Sequence, residues 1–199
     1  MNDTGKNIVC GFRELRKFCH QVSLLLRTAT GMMEQESWDS TSPPTAFYTC
    51  RRIDEPDWWL PYEFCRFFKN SKIHRLLPYI AVNLDDPAGN SPVEYPLLST
   101  GCIVFGASKN RAKVEHWWSR WHCYMDSRKD DGSLCIDEPL ETWKLEKGDE
   151  EPPEGIVRVT TFAYPIIEIG DCEALRHKVV EPLLKVIEQE SKATRDRSK

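Results

Sequence analysis

The sequence predicts an α+β domain in which helices pack on a small mixed sheet of at least three strands. Three observations predict this class: an apolar stripe at helical spacing over the first thirty-odd residues, three strand-like segments, and an amphipathic segment near the C-terminus. The chain has 199 residues, of which 40% are hydrophobic and 29% charged, as in an ordinary globular domain with its own core. We therefore assign residues 1–190 to a single domain and predict a disordered tail at 191–199.

A long amphipathic helix is predicted at the N-terminus. Its apolar positions recur at alternating spacings of four and three residues, at Ile8, Phe12, Leu15, Cys19, Val22, Leu26, Ala29 and Met33. This is the heptad spacing of one helix face, and charged residues such as Arg13, Glu14 and Lys17 lie outside it. The helix should end near Glu36. If this stripe packs on the sheet it belongs to the core, and if it projects it can support dimerisation.

The middle of the chain is predicted to contain irregular structure and then strands. Residues 37–61 are rich in aromatic residues and proline, and Pro61 suits the first position of a short helix that continues to Phe68. Strands are predicted at 75–84, 96–105 and 156–169 from their β-branched and aromatic residues. Pro78 delays the start of the first strand or places it at an edge, and Pro165 indicates an edge or a bulge in the third. The apolar run 102–105 predicts that the second strand is buried on both faces.

Two further helices and one loop complete the predicted fold. Apolar and aromatic residues at helical spacing predict a tryptophan-rich central helix within 109–125, followed by an acidic surface loop at 127–155. This order of strand, helix and strand suggests a right-handed crossover, which would make the second and third strands parallel. The last helix is predicted at 172–189, with Asp171 as its capping residue and a kink or break at Pro182.

Net charge and hydropathy argue against some functional classes for this protein, namely strong phosphate binders and membrane-spanning proteins. There are 27 basic and 31 acidic residues, a formal net charge of −4, which argues against a chain built mainly to neutralise phosphates. No apolar run approaches the roughly 20 residues that cross a bilayer, and the first residues lack the pattern of a signal peptide. We therefore expect no membrane span and a cytoplasmic location. The eight cysteines form no CxxC pair and are expected to be mostly reduced thiols.

The candidate binding residues are tryptophans and basic residues from two regions of the chain. They are Trp58, Trp59, Trp117, Trp118, Trp121, Lys109, Arg111 and Arg120. Adjacent tryptophans on a regular element cannot all point into one core, so part of each cluster is expected at a surface or in a pocket. Segment 109–129 mixes rings with cations, as single-stranded nucleic acid requires. The same composition suits a core-facing aromatic stripe with a solvated basic face, and the overall negative charge favours that interpretation.

Motifs for catalysis or metal binding are missing from the sequence. Gly101 and Gly106 have the spacing of a phosphate loop, but Lys and then Ser/Thr do not come immediately after the second glycine, and the residues between the two glycines are typical of a strand. The histidines and cysteines lack the close pairs typical of structural zinc, and none occupies a diagnostic nucleophile context. We therefore predict no catalytic residue, no metal and no cofactor.

The leading functional hypothesis is a non-enzymatic cytosolic interaction module. It would bind a protein partner or a second copy of itself through aromatic and amphipathic surfaces, because such elements are abundant and catalytic signatures are not. One alternative is single-stranded nucleic-acid binding through 109–129. The other is an enzyme or small-ligand receptor with a tryptophan-lined pocket.

Overall fold

Along the chain, one long helix precedes the strands of the sheet and a helical region follows them. The computed structural model describes residues 3–41, 45–47, 63–84, 96–105 and 156–196. The elements before the C-terminal region are α1 (Asp3–Gln35), β1 (Asp39–Ser40), β2 (Thr45–Phe47), β3 (Glu63–Lys69), β4 (Leu76–Asn83), β5 (Leu97–Phe105) and β6 (Ile156–Pro165). A 3-10 turn at Ile166–Glu168 then leads to α2 (Cys172–Leu175), a π-helical turn (Arg176–Val180) and α3 (Glu181–Asp196). The predicted α+β class, with a sheet of at least three strands, is confirmed.

All strand pairings among the described residues are antiparallel. Strands β3, β4, β5 and β6 form a meander in which each pairs with the next, while β1 and β2 both pair with β3. The prediction of a mixed sheet with a parallel crossover is therefore wrong, since β5 and β6 are antiparallel neighbours. Helical spacing in the sequence between two strands does not determine the direction of the second strand.

The segment after Pro61 also differs from its prediction, because it is strand β3 rather than a short helix. Side chains alternate along it: Phe64 and Phe68 face the helices, whereas Cys65 and Phe67 face the opposite side. Aromatic side chains fit a pleated surface well, so this period-two pattern outweighs the preference of proline for a helix start. The predicted irregular region 37–61 likewise contains β1 and β2.

The two strand prolines lie in different places in the sheet. Strand β4 is an interior strand that begins at Leu76, before Pro78, so both predicted alternatives, an edge position and a delayed start, are wrong. The register between β3 and β4 ends at Phe67↔Tyr79, so that Pro78 lies opposite Cys102 of β5 but beyond the last β3 pair. Proline lacks a backbone N–H, and it is tolerated at a strand position that has no paired residue on one of its two sides. Pro165 ends β6, the outer strand of the sheet as described, which confirms its predicted edge position.

The main core lies between one face of the sheet and the helices. It includes Val22 and Leu26 of α1, Ile80 of β4, Leu98 of β5 and Leu183 of α3. A second buried cluster occupies the other face of the sheet and consists of Cys65, Phe67, Leu77, Tyr79, Ala81, Ile103, Phe105 and Val159. Every residue of β5 is buried, which confirms the prediction for that strand.

Local capping and a π turn shape the C-terminal helical region. The Ala174 backbone N–H donates to Asp171 Oδ1 at 2.8 Å, which confirms the predicted cap. The π-helical turn ends directly before Glu181, whose N–H donates to the Arg176 carbonyl five residues earlier. Because Pro182 cannot donate to a carbonyl and crowds the preceding turn, a widened turn at this point accommodates it. The helical region continues through Pro182 without a break, so the predicted disturbance at this proline is a π turn. The helix continues to Asp196, although the tail was predicted from residue 191.

The predictions on membrane spans, disulfides and the central segment remain to be compared with the structure. None of the described helices is both long and apolar enough to span a bilayer. None of the five described cysteines, Cys10, Cys19, Cys65, Cys102 and Cys172, forms a disulfide. The predicted tryptophan-rich helix and the acidic loop at 127–155 lie outside the described residues.

Candidate functional site

The heptad stripe of α1 divides into two halves with opposite environments. We call Val22, Leu26, Ala29 and Met33 the inner seam, and each of these residues is at most 1% exposed. We call Ile8, Phe12, Leu15 and Cys19 the outer seam. Here Ile8 and Phe12 are both 57% exposed, and Leu15 and Cys19 are partly buried. One continuous apolar stripe is therefore half core and half surface.

The division follows from where the rest of the protein contacts α1. The helix packs on β1, β3, β4 and the π turn, and its buried positions begin at Val22. Between residues 5 and 21 no position is fully buried, and Val9, next to Ile8, is 50% exposed. This segment of 17 residues is about 25 Å long and lies before the buried part of α1. Its residues 5–14 are exposed throughout, whereas Leu15, Phe18 and Cys19 are partly buried and Phe18 packs against the main core.

The charges on this projecting segment are basic and lie off the outer seam. Residues 5–21 contain four basic residues and one acidic residue, a formal charge of +3 in a chain whose total is −4. Glu14 is paired with Lys17 at 2.8 Å, and both side chains are well exposed. This exposed i,i+3 pair contributes only a few tenths of a kcal/mol to the helix. The segment thus offers an apolar stripe bordered by solvated cations.

A groove lies beside the inner seam, between α1 and the segment 166–175. Its volume is about 350 Å³, and its apolar lining includes Phe18, Leu25, Ile166, Ile169 and Leu175. Two large apolar side chains nearby in the chain are exposed, Leu24 at 44% and Ile167 at 81%. The groove has the character of a shallow apolar surface, with Gln21, Thr28 and Asp171 contributing its polar groups.

A polar cluster occupies the face of the sheet opposite the helices, centred on a glycine. Tyr79, Gly101 and Thr161 are aligned across β4, β5 and β6, and the Tyr79 hydroxyl is hydrogen-bonded to the Thr161 hydroxyl. The phenol therefore crosses over Gly101 to reach a partner two strands away. A Cβ at Gly101 would overlap the Thr160 carbonyl oxygen and come within 2.9 Å of the Thr161 Cα. Only glycine permits this close approach of the two strands.

Other polar residues extend this cluster toward the opposite end of the strands. The Ser99 hydroxyl donates to Asn83 Oδ1 at 2.8 Å, and Asn83 is paired with Glu63 across β3 and β4. Burial raises the pKa of the Glu63 carboxyl well above its usual range, while a hydrogen bond with Cys65 acts in the opposite direction. Burial likewise raises the pKa of the Tyr79 hydroxyl. In both groups burial favours the neutral form over the charged form.

The chemistry available to this polar cluster is limited by its burial. Its members are at most 7% exposed, and its hydroxyl and amide groups bond to one another. Such a network specifies strand register and packing rather than presenting groups to a substrate. Sequence analysis did not select Glu63, Tyr79, Ser99 or Thr161. The available signal was weak: a glycine and several polar residues inside otherwise apolar strands.

The eight residues selected from the sequence remain untested as binding residues. Trp58, Trp59, Lys109, Arg111, Trp117, Trp118, Arg120 and Trp121 all lie outside the described residues. Trp38 is the one tryptophan among the described residues, and it is 3% exposed and belongs to the main core. Of the predicted functional surfaces, the structure therefore describes the amphipathic N-terminal helix and not the aromatic clusters.

Comparison with known proteins assigns the chain to no family. The chain matches no protein-family model, no curated protein and no solved structure. Among the described residues, no group of three His, Cys, Asp or Glu side chains is placed to hold a metal ion.

Proposed function

We propose that the protein is a non-enzymatic interaction module whose contact surface is the outer seam of α1. The observation that carries this proposal is the change of environment along a single heptad stripe. The inner seam is core, whereas Ile8 and Phe12 of the outer seam present the same type of surface without a described cover. Half-exposed Ile8, Val9 and Phe12 on adjacent turns form a contiguous apolar patch, which is typical of a protein-binding site.

The composition of the projecting segment supports binding rather than a free helix. Gly5 and Gly11 both lie in it, and each destabilises a helix interior by about 1 kcal/mol relative to alanine. Helical segments of this length are marginal in water unless an apolar face is packed. A partner that covers Ile8 and Phe12 would therefore stabilise the helix in addition to forming an interface.

The spacing of the outer seam defines the mode of recognition. Ile8, Phe12, Leu15 and Cys19 follow one another at i, i+4, i+7 and i+11, as in helices that insert into an apolar groove or pair with another helix. A protein partner or a second copy of the chain satisfies this pattern. The basic residues around the seam would then set the rate and salt dependence of association.

A pair of charge-introducing variants tests the proposal. Phe12→Asp places a carboxylate in the outer seam, whereas Arg13→Asp places the same side chain on the next residue, away from it. Association is measured by light scattering and by cross-linking of material purified from its native cells. We expect Phe12→Asp to abolish association and Arg13→Asp to retain it, with both variants keeping the wild-type circular dichroism spectrum.

Two results would contradict the proposal. One is a wild-type protein that associates with neither itself nor any stoichiometric protein partner. The other is an association that Phe12→Asp leaves unchanged.

A further inference from the structure

We infer that the outer seam binds a different protein, through an apolar surface of that partner that carries carboxylates along one side. This inference rests on the proposed function, which it narrows from any protein partner, including a second copy, to an acidic one. Two features of α1 support it: the position of its exposed apolar residues and the position of its unpaired basic residues.

The exposed apolar residues of α1 are displaced toward one edge of the outer seam. Ile8 and Phe12 are both 57% exposed, whereas Leu15 is partly buried and Phe18 packs against the main core. Val9 is 50% exposed. At about 100° per residue, Val9 lies about 60° beyond Phe12, on the side away from Leu15 and Phe18. The apolar surface left for a partner is therefore formed by Ile8, Phe12 and Val9.

Basic residues border this apolar surface on the same side. We call Lys6, Arg13, Arg16 and His20 the basic strip. Lys6, Arg13 and His20 recur at intervals of seven residues, which is nearly two helical turns, and Arg16 lies one turn from Arg13. On the helix these residues lie about 40–120° beyond Phe12, on the side where Val9 also lies. A single partner surface can therefore contact the apolar residues and the basic strip together.

The basic strip has no acidic counterpart within the described part of the chain. All four of its residues are exposed, and none of them forms an ion pair with a described residue. Glu14, the one acidic residue of segment 5–21, is paired with Lys17 at 2.8 Å. With His20 neutral, the strip retains a formal charge of +3. Carboxylates placed opposite it would gain charge-assisted hydrogen bonds and speed association.

The distribution of charge over the chain favours a protein over other anionic partners. Segment 5–21 carries +3 in a chain whose total is −4, which leaves −7 for the remaining residues. Nucleic acids and anionic membranes carry negative charge well beyond the length of the basic strip, and the rest of this chain repels it. Phosphates would also leave Ile8 and Phe12 uncovered. A second copy presents the same positive segment, so its charge opposes pairing, whereas another protein can confine its carboxylates to the strip.

Two designed peptides test the charge of the partner. Each has about 17 residues, to match the length of segment 5–21, with leucine at spacings of three and four residues. The other positions are glutamate in one peptide and glutamine in the second. Binding to the full-length protein is measured by fluorescence anisotropy, beginning at about 50 mM salt. We expect the glutamate peptide to bind about tenfold more tightly than the glutamine peptide, and to lose this advantage as the salt concentration rises.

Charge-reversal variants test the site. Arg13→Glu combined with Arg16→Glu reverses two charges of the basic strip, while Lys69→Glu combined with Lys72→Glu makes the same change in net charge at exposed positions in and after β3. The first pair should weaken binding of the glutamate peptide by about tenfold or more, and the second by less than about threefold. A change at Arg13 alone removes one of several exposed charges, so association is retained. Phe12→Ala should weaken both peptides to a similar degree, because they carry the same leucines.

The contrary results distinguish this inference from the proposed function. Equal binding of the two peptides, or equal effects of the two double variants, would overturn the acidic partner, and a loss of binding in Phe12→Ala would then leave the proposed function standing. Tighter binding of phosphatidylserine vesicles or of oligothymidylate than of the glutamate peptide would overturn a protein partner for the strip. Failure of the glutamate peptide to bind would overturn this inference alone, and an association that Phe12→Asp leaves unchanged would overturn both.

Discussion

Replacing Leu26 by alanine should destabilise the protein far more than the same replacement of Phe12, although both belong to one stripe. Leu26 is 1% exposed and packs in the main core, so Leu26→Ala removes a buried side chain and leaves a cavity. Such changes lower the free energy of unfolding by about 2–5 kcal/mol, and we expect about 3 kcal/mol here. In a chain of this size the melting temperature should fall by about 6–12 °C.

The matched variant Phe12→Ala removes a larger side chain that is already 57% exposed. Its effect on the free energy of unfolding should stay within about 0.5 kcal/mol, and the higher helix propensity of alanine offsets part of the loss. Both variants are unfolded with urea and followed by circular dichroism at a concentration too low for association. Equal destabilisation by the two variants would refute the division of the stripe into a buried half and an exposed half.

Three further predictions concern the polar cluster on the other face of the sheet. Gly101→Ala should lower the free energy of unfolding by about 3 kcal/mol or more, because the Cβ of alanine would overlap the Thr160 carbonyl oxygen. Urea unfolding measures this change, and a variant as stable as wild type would contradict the prediction. Tyr79→Phe should cost about 0.5–1.5 kcal/mol, because the buried Thr161 hydroxyl loses its bond with Tyr79 and keeps only its 3.3 Å bond to the Thr100 carbonyl. A double-mutant cycle with Thr161→Val should show coupling, whereas additive effects would show that the bond contributes little. Burial raises the pKa of the Glu63 carboxyl, so the folded state binds the proton of this group more tightly than the unfolded chain does. The protonated carboxyl therefore adds to the free energy of unfolding at low pH. This contribution is lost as the pH rises above about 4.3, by at most about 1.4 kcal/mol per pH unit. Glu63→Gln should remove that loss and be more stable than wild type near neutral pH, and parallel pH profiles of the two proteins would argue against it.

Elements with a strong periodic signal could be predicted from the sequence. The heptad stripe located α1 to within a residue of its observed end at Gln35, and β4 and β5 lie within their predicted ranges. These predictions succeed because each element buries a long run of residues, on both faces of β4 and β5 and along the inner seam of α1, so that burial enforces the pattern there. The cap at Asp171 was predictable for a different reason, since its hydrogen bond is local.

Features that depend on distant segments could not be predicted. The direction of β6 relative to β5 and the interior position of β4 are properties of pairing, which local composition does not encode. The contact of Tyr79 with Thr161 joins residues 82 positions apart and depends on a glycine in the strand between them. Periodicity likewise could not distinguish the inner seam from the outer seam, because both follow the same spacing.

The exposure of the outer seam nevertheless follows from the lengths of the elements. With 33 residues, α1 is about 50 Å long, whereas the longest strand, β6 with 10 residues, spans only about 34 Å. The sheet must also accommodate the C-terminal helix on the same face, so it cannot cover the whole of α1 in any orientation. Geometry therefore requires that one end of α1 extends beyond the described sheet, but it does not require apolar residues at that end. Their presence at Ile8 and Phe12, in heptad register with the core, is the feature that a binding function explains.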